Sequence, residues 1–437
     1  MDIVAKVKAF HQLKADLRCG KPFLIVGVDA GKASSKACFC TFTNDVLIRK
    51  FHIPHTLDGF HLLIETIERL KKAHGLQEAI IGFEPTGTYH KILGEYLQQR
   101  GYCVAYVSSV AVKNNRRTLA AGRWGKNDPR DAYNVVDLMR QGKIQFYRDS
   151  KNNALEMRGY LSIHRRLTKN KTALKTRVRN NIWACYFPEA DTIFANADDP
   201  DALYLLEHFC SAEALRLVDR TSFLKHFSIG ARQHSRFDRL ISIWEAAQTS
   251  VGCSAPPSIA FEAQIIARDI RQILDDLKRI EKQLAIFCSE RDSFQQLQTI
   301  PGFGNFVTAV FKACIGDINA FDHPRQLTRL AGIDVESMTS GTYAGRERIS
   351  KKGIALLRYA VCQAVSVAVS RTKDMKALFE QRLSAQGGTK QARAKLKIKF
   401  ADKLLRTVFY ILKNDVPFDF KRFNVPVDDP AFDYVRA

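Results

Sequence analysis

Asp29, Glu84, Asp128 and Asp131 are the residues of this chain whose types and positions suggest shared chemistry. The first follows the apolar run at residues 23–28, the second follows the run at 79–83, and the last two open a helical segment. Four carboxylates supply hard oxygen donors for one or two Mg²⁺ ions, a site that clamps the attacking and leaving oxygens of a phosphoryl transfer. Asp128 and Asp131 are three apart, so they share one helical face. Taken singly, each acid has a plainer reading. Asp29 before Ala30-Gly31 suits a turn, Asp128 before Pro129 suits a helix cap, and Asp131 suits the positive end of a helix dipole. Four acids at four matching element ends favour the metal site.

The elements that must position them follow from pattern. Residues 23–28 (FLIVGV) form a continuous apolar run with β-branched members, the mark of a strand buried on both faces. Residues 36–42 and 46–53 are two further extended runs separated by the turn-like Thr43-Asn44-Asp45, so the first three strands predict an antiparallel meander. A helix is expected over 57–74, a fourth strand over 79–83, a helix over 90–100 and a fifth strand over 103–107. The order βββαβαβα is that of the ribonuclease H-like fold. In such a sheet the carboxyl ends of the first and fourth strands lie side by side, which brings Asp29 to Glu84.

Bulk composition points to a polyanionic partner. With 437 residues and 46% hydrophobic content the chain can bury two or three cores. Its formal charge of +22 favours phosphate neutralisation and counterion release. No apolar run approaches the ~20 residues of a membrane-spanning helix, and residues 1–20 mix charges as no signal peptide does. The ten cysteines contain no CxxC pair, and Cys38-x-Cys40 is expected to point to opposite faces of its strand. They are expected to be reduced, in a cytoplasmic, nucleoid-associated protein.

The positive charge is clustered. Residues 151–182 hold nine Lys or Arg against one acid, Glu156, with Leu155, Leu161, Leu167, Leu174, Val178 and Ile182 at roughly helical intervals. This predicts a long amphipathic helix whose basic face, with Arg165, Arg166, Lys169 and Lys175, contacts nucleic acid; a solvated face is the alternative. A second cluster, Lys113, Arg116, Arg117, Arg123, Lys126 and Arg130, surrounds the Asp pair. Residues 187–251 carry no interpretable motif, and His208, His226 and His234 lack a metal spacing, so a helical insertion is expected there. Ile266, Ile270, Ile273, Leu277, Ile280, Leu284 and Phe287 then alternate in steps of four and three, the rhythm of a coiled-coil seam. That seam predicts self-association, an antiparallel hairpin, or packing inside one subunit.

A second domain begins near Leu297. Pro301, Gly302 and Gly304 predict a tight bend between helical segments, like a helix-hairpin-helix element that offers backbone N–H groups to phosphate. A helix over 324–330 precedes Ser337-Met-Thr-Ser340-Gly-Thr, and the basic Arg346, Arg348, Lys351 and Lys352 follow. The serine-rich part alone suits a loop; its place between helices and beside those cations makes a reactive serine worth considering.

These motifs together resemble the insertion-sequence transposases of the DEDD type, the family that includes the pilin-gene-inverting recombinase and works with a bridge RNA. The resemblance rests on Gly27-Val-Asp29, Gly82-Phe-Glu84-Pro-Thr-Gly-Thr-Tyr and Lys126-Asn-Asp128-Pro-Arg-Asp131-Ala near one end. Near the other it rests on Ile300-Pro-Gly-Phe-Gly, Ile315-Gly-Asp317, Ser340-Gly341 and Arg348-Ile-Ser-Lys-Lys-Gly353 through Leu357-Arg358. The chain departs in Ile354, where an Asn or Ser often follows that glycine, and in its long middle region. The resemblance implies a multidomain α/β plus α protein: a helical extension at 1–20, a RuvC-like mixed sheet at 21–150, a basic helix, insertion and coiled coil at 151–292, a mostly helical transposase domain at 293–385, and a basic helix and tail at 386–437. It implies Asp29, Glu84, Asp128 and Asp131 as the metal tetrad and Ser340 as a nucleophile. Donor and target DNA, a noncoding guide (bridge) RNA and dimers assembling to a tetramer are the implied partners, and no membrane.

Three rivals are separable. A plain RuvC-like Mg²⁺ nuclease needs only the four acids and leaves no protein–DNA link. An actin-like phosphotransferase needs a second glycine-rich phosphate loop, which the sequence lacks. A non-catalytic nucleic-acid binder leaves the four acids unexplained.

Overall fold

The computed structural model describes residues 3–85, 87–119, 128–146, 153–227, 234–289, 293–336, 339–340, 343–344 and 348–424. They part into two compact units, Met1–Asn152 and Asn153–Ala437. In the first, helix α1 (Ile3–Arg18) precedes the meander of β1 (Phe23–Ala30), β2 (Ser34–Thr41) and β3 (Val46–Pro54). Helix α2 (Leu57–Ala73) leads to β4 (Glu78–Phe83), and α3 (His90–Gln99) leads to β5 (Cys103–Val107). Helices α4 (Ser109–Leu119) and α5 (Asp128–Arg140) and a last short strand, β6 (Ile144–Phe146), follow. The sheet order is β3-β2-β1-β4-β5-β6, with β1, β4 and β5 parallel and the others antiparallel to their neighbours. Strand β6 was not anticipated, because Ile144-Gln145-Phe146 is too short to show a period.

Period-two alternation divides the sheet's side chains between two helical layers. Leu24, Val26 and Val28 of β1 pack with Phe60, Leu63 and Ile67 of α2 and with Leu93 and Leu97 of α3. Burying each of these side chains contributes about 2 kcal/mol. Phe23 and Ile25 pack on the other side with Ala132, Val135, Val136 and Met139 of α5. Cys38 and Cys40 both lie on this second face, their Sγ atoms 3.7 Å apart. The expectation of opposite faces is corrected here: residues two apart along a strand share a face. The hydrogen bond between Cys38 and Cys40, with burial, raises the Cys40 thiol's pKa. None of the described cysteines is in a disulfide.

The second unit is built on an antiparallel helix pair. Helix α6 (Asn153–Arg177), continued by a π-helical turn at Val178–Trp183, lies along the helix Pro257–Ser289. Arg177 bonds Glu262 at one end (2.7 Å), and Tyr160 meets Phe287 at the other. Every residue of the expected seam from Ile266 to Phe287 is buried within this chain. Its hydrophobic rhythm is therefore satisfied by intrachain packing. Leu155, expected on the buried stripe of α6, is exposed, and Lys151 lies outside the described residues.

The pair joins two cores. At one end Met157, Leu161, Ile280 and Leu284 pack with the helices Asn305–Ile315, Ala355–Arg371 and Lys390–Asn414. At the other, Val178, Ile182, Trp183, Ile266 and Ile270 pack with residues of the insertion, among them Phe194, Leu206 and Phe223. The insertion is pinned by Asp201, which accepts hydrogen bonds from Arg236 (2.6 Å) and Arg239 (2.8 Å). Burial alone would raise its pKa, but the two guanidiniums hold it below the ordinary carboxylate value. No helix among the described residues is long and apolar enough to cross a membrane.

Candidate metal cleft and serine hairpin

Three of the four acids line one cleft. In the parallel ladder Val28 is opposite Phe83, so Asp29 and Glu84 leave the sheet side by side. Helix α5 lies directly on β1 and β4 because both strands carry glycine under it. A Cβ on Gly27 would run into the Ala132 carbonyl oxygen and the Val136 backbone nitrogen, and one on Gly82 into the Met139 side chain. This close seat holds the first turn of α5, with Asp128 and Asp131, over the end of β1. A cleft of about 750 Å³ results, with Asp29, Glu84 and Asp131 in its lining. The side chain of Asp128 lies outside the described residues.

The other polar side chains of the lining are cationic or hydroxylic: Lys32, Lys36, Lys113 and Arg116, with Ser34, Ser109 and Tyr89. Helix α4, which carries Lys113 and Arg116, is clamped to α5. Asn115 donates to Asn134 (2.9 Å) and Asp137 (2.7 Å), and Asn134 donates to the Val112 carbonyl (2.7 Å). A satisfied buried amide network of this kind fixes geometry. Sequence reading missed it, since three polar residues spread over two helices form no pattern. Lys32 and Lys36 were missed as well.

Asp131 is 4% exposed and forms an ion pair with Arg116, Nη2 to Oδ1 at 2.8 Å. The pair lacks hydrogen-bond geometry, so Asp131 Oδ1 and Arg116 Nε stay buried without a hydrogen-bond partner. The distance establishes the charge pairing, and the missing geometry shows that it is not saturated. A buried carboxylate oxygen with spare lone pairs, beside two more carboxylates in one cleft, suits a hard divalent cation. Among the described residues no three acidic, His or Cys side chains yet stand close enough to hold an ion. Arg116, expected to contact nucleic acid, serves here as the counter-charge of Asp131. Of the cations expected around it, Arg123 and Lys126 lie outside the described residues, as do the side chains of Arg117 and Arg130.

In the second unit the bend at Pro301 links a 3-10 helix, Ser293–Thr299, to the helix Asn305–Ile315, with Gly304 as its N-cap. The first arm is thus not the α-helix that a helix-hairpin-helix element would have. Ser340 belongs to a short strand, β8 (Thr339–Ser340), paired antiparallel with β9 (Tyr343–Ala344) so that Ser340 faces Tyr343 across the ladder. An outer ladder of β7 (Val335–Glu336) and β10 (Arg348–Ile349) brackets it. Within the serine-rich segment Thr339 and Ser340 are thus paired strand where a loop was expected, and Ser337, Met338, Gly341 and Thr342 lie outside the described residues. Its base is tied down: Ser350 Oγ donates to Asp334 (2.5 Å), and the Lys351 amide to the Gly332 carbonyl (3.1 Å). Arg348, Lys351 and Lys352 are exposed at this base. Arg346 and the Ser340 side chain lie outside the described residues.

On α6, Arg165, Arg166 and Lys169 are exposed and form no ion pair among the described residues. Lys175 differs: it is held by Asp198 at 2.7 Å, beside Lys171 at 2.9 Å. The basic face expected over the whole helix is thus neutralised toward its C-terminal end.

Two comparisons bear on this arrangement. The DEDD-type family model for IS110, described as "Transposase", matches residues 26–187, the sheet domain and the first part of the helix pair. A second model, "Transposase IS116/IS110/IS902 family", matches residues 294–380, which contain the serine hairpin. The "Transposase for insertion sequence element IS1111A" of Coxiella burnetii (strain RSA 493 / Nine Mile phase I) is 28% identical over 110 residues, 23% of this chain and 30% of that protein. The match thus spans less than a third of the relative's length. With matching models at both ends of the chain, this protein belongs to the IS116/IS110/IS902 family of transposases, with a DEDD-type amino-terminal domain.

Proposed function

We propose that the chain is a DNA transposase that breaks and rejoins strands through a covalent phosphoserine–DNA intermediate, with Asp29, Glu84, Asp128 and Asp131 holding one or two Mg²⁺ ions. The convergence of Asp29, Glu84 and Asp131 on one cation-rimmed cleft carries this reading. The resident metal, when bound, supplies charge neutralisation at the phosphate oxygens. The chain's own groups do the rest. The four carboxylates fix the ion, and Lys32, Lys36 and Lys113 draw the phosphodiester backbone to it. Ser340 Oγ attacks phosphorus and loses its proton, while the bridging oxygen of one DNA end leaves as a hydroxyl. The phosphoserine ester keeps the energy of the broken bond, so a second DNA hydroxyl can displace the serine without ATP. Arg346 and Arg348 anchor the backbone beside the hairpin, with Lys351 and Lys352. The basic face of α6 at Arg165, Arg166 and Lys169 holds donor DNA, target DNA or a noncoding guide RNA, and subunits assemble through dimers to a tetramer. Because serine and acids belong to different units, their cooperation requires these units, or those of neighbouring subunits, to come together.

Adduct formation tests the covalent step. Wild-type protein, incubated with the DNA flanking its gene, the adjoining noncoding RNA and Mg²⁺, should leave protease-sensitive protein on cleaved ends. Ser340→Ala should bind the same nucleic acids and form none. Adduct retained in Ser340→Ala but lost in Ser337→Ala would move the nucleophile. Cleavage without adduct in the wild type would leave a metal nuclease.

A further inference from the structure

We infer that the edge strand β3 carries a second phosphodiester-binding site, a groove of Lys36, Arg49, Lys50 and His52 that guides a single DNA strand into the acid cleft. The inference rests on the strand-cleaving reading of that cleft. Its origin is a break in the β2–β3 register. Ala37 pairs with Phe51 but Phe39 pairs with Ile48, so Arg49 and Lys50 together stand opposite Cys38. One extra residue in β3 makes a bulge, and bulges re-aim side chains that regular alternation would send to opposite faces. Both cations, with Lys36, Ala37, Phe51 and His52, line one groove of about 210 Å³, with no carboxylate in its lining. The Arg49 guanidinium lies 5.9 Å from the Tyr133 ring, which steers it toward the α5 side of the sheet.

Two features distinguish this groove from a charged edge that merely blocks strand pairing. Lys36 lines both the groove and the acid cleft, so the two adjoin at that side chain. The register also makes a rung across the sheet, Asp29 opposite Lys36 and Lys36 opposite His52. Two strand spacings separate its ends, about 10 Å. That is a span of at most about three nucleotides at the rise of a helical strand, and fewer for an extended one. A strand whose phosphate sits at Asp29 therefore reaches the groove with its next few phosphates. At about 210 Å³ the groove has room for part of one strand and not for a duplex.

The test uses the full-length protein and a fluorescein-labelled single-stranded oligodeoxynucleotide, read by anisotropy over a KCl series. Arg49→Gln with Lys50→Gln should lower the log–log salt slope by about 1.4, two phosphate contacts at ~0.7 each, and weaken binding roughly tenfold at low salt. Disulfide capture of a thiol-tethered strand should be greater at Lys50→Cys than at Lys72→Cys, a control on α2, or in the wild type with its own exposed cysteines. An unchanged slope and affinity in a double variant that melts like the wild type would overturn the groove while leaving the transposase reading intact. Capture at Lys50→Cys no greater than at the control would do the same, whatever the double variant's stability. No binding by the wild type would sink both readings. A slope change seen with RNA of the same sequence but not with DNA would overturn the assignment to substrate.

Discussion

The seat of α5 on β1 gives the sharpest structural prediction. In Gly27→Ala the new methyl would stand 2.9 Å from the Val136 backbone nitrogen and 2.8 Å from its Cγ2, and nearer still to the Ala132 carbonyl oxygen. Ordinary contact begins near 3.4 Å, and two of the three obstacles are backbone atoms that no rotamer change can move. Helix α5 must therefore retreat by about 1 Å at the turn carrying Asp131. Overpacking of this kind costs about 1–3 kcal/mol of stability. A misplacement of ~1 Å at a reacting centre costs about 10²-fold in rate. Gly82→Ala is the internal control, since its obstacle is the end of the flexible Met139 side chain. Denaturant unfolding and Mg²⁺-dependent cleavage, measured on both variants, should show Gly27→Ala folded but far less active than Gly82→Ala. Equal cleavage by Gly27→Ala and wild type, or a worse defect in Gly82→Ala, would refute the account of how the acids are brought together.

Four further outcomes are expected. Replacing Arg165, Arg166 and Lys169 with Gln should lower the salt slope of nucleic-acid binding by about 2, whereas Lys175→Gln should leave it nearly unchanged because Lys175 is bonded to Asp198. Arg116→Gln should melt lower without divalent metal and gain more on adding Mg²⁺, because Asp131 is left as a buried charge awaiting a cation. The loss should fall short of the ~3–5 kcal/mol of a fully buried pair, since Arg116 is partly exposed, and equal Mg²⁺ gains in both proteins would separate Asp131 from the metal. Lys403, buried within the helix Lys390–Asn414 with its ammonium 5.0 Å from the Phe423 ring, has a pKa lowered to about 8 by burial. The unfolded chain holds that proton up to about 10.5, so stability should rise with pH between 8 and 10.5 by on the order of 3 kcal/mol, a rise Lys403→Met abolishes while melting higher at pH 7.

Strands β1 and β4 and their acids were legible because each is a short apolar run that ends at a carboxylate, Asp29 or Glu84, and because the two must be neighbours in this topology. The glycines were visible as motif letters, yet their reason was not: that Gly27 and Gly82 are the seat of a helix some fifty residues away or more depends on tertiary packing. The bulge at Arg49-Lys50 was hidden for a similar reason, since it is a property of two strands in register. On α6 the count of cations was correct but not its meaning, because Lys171 and Lys175 are neutralised by Asp198 from the insertion. The heptad rhythm at Ile266–Phe287 marked a buried helix face but not its partner, and α6, more than eighty residues earlier, supplies it.

Strand cleavage at this cleft requires Asp29 and Glu84 to act together around a divalent ion. Cleavage of the gene's flanking DNA should be measured with nucleic-acid binding, in Mg²⁺, for wild type, Asp29→Asn and Glu84→Gln. Both variants should bind with wild-type affinity and salt slope, since the cationic surfaces are untouched, and both should lose cleavage entirely. Normal cleavage by either one in Mg²⁺ would contradict the assignment of this cleft as the catalytic centre.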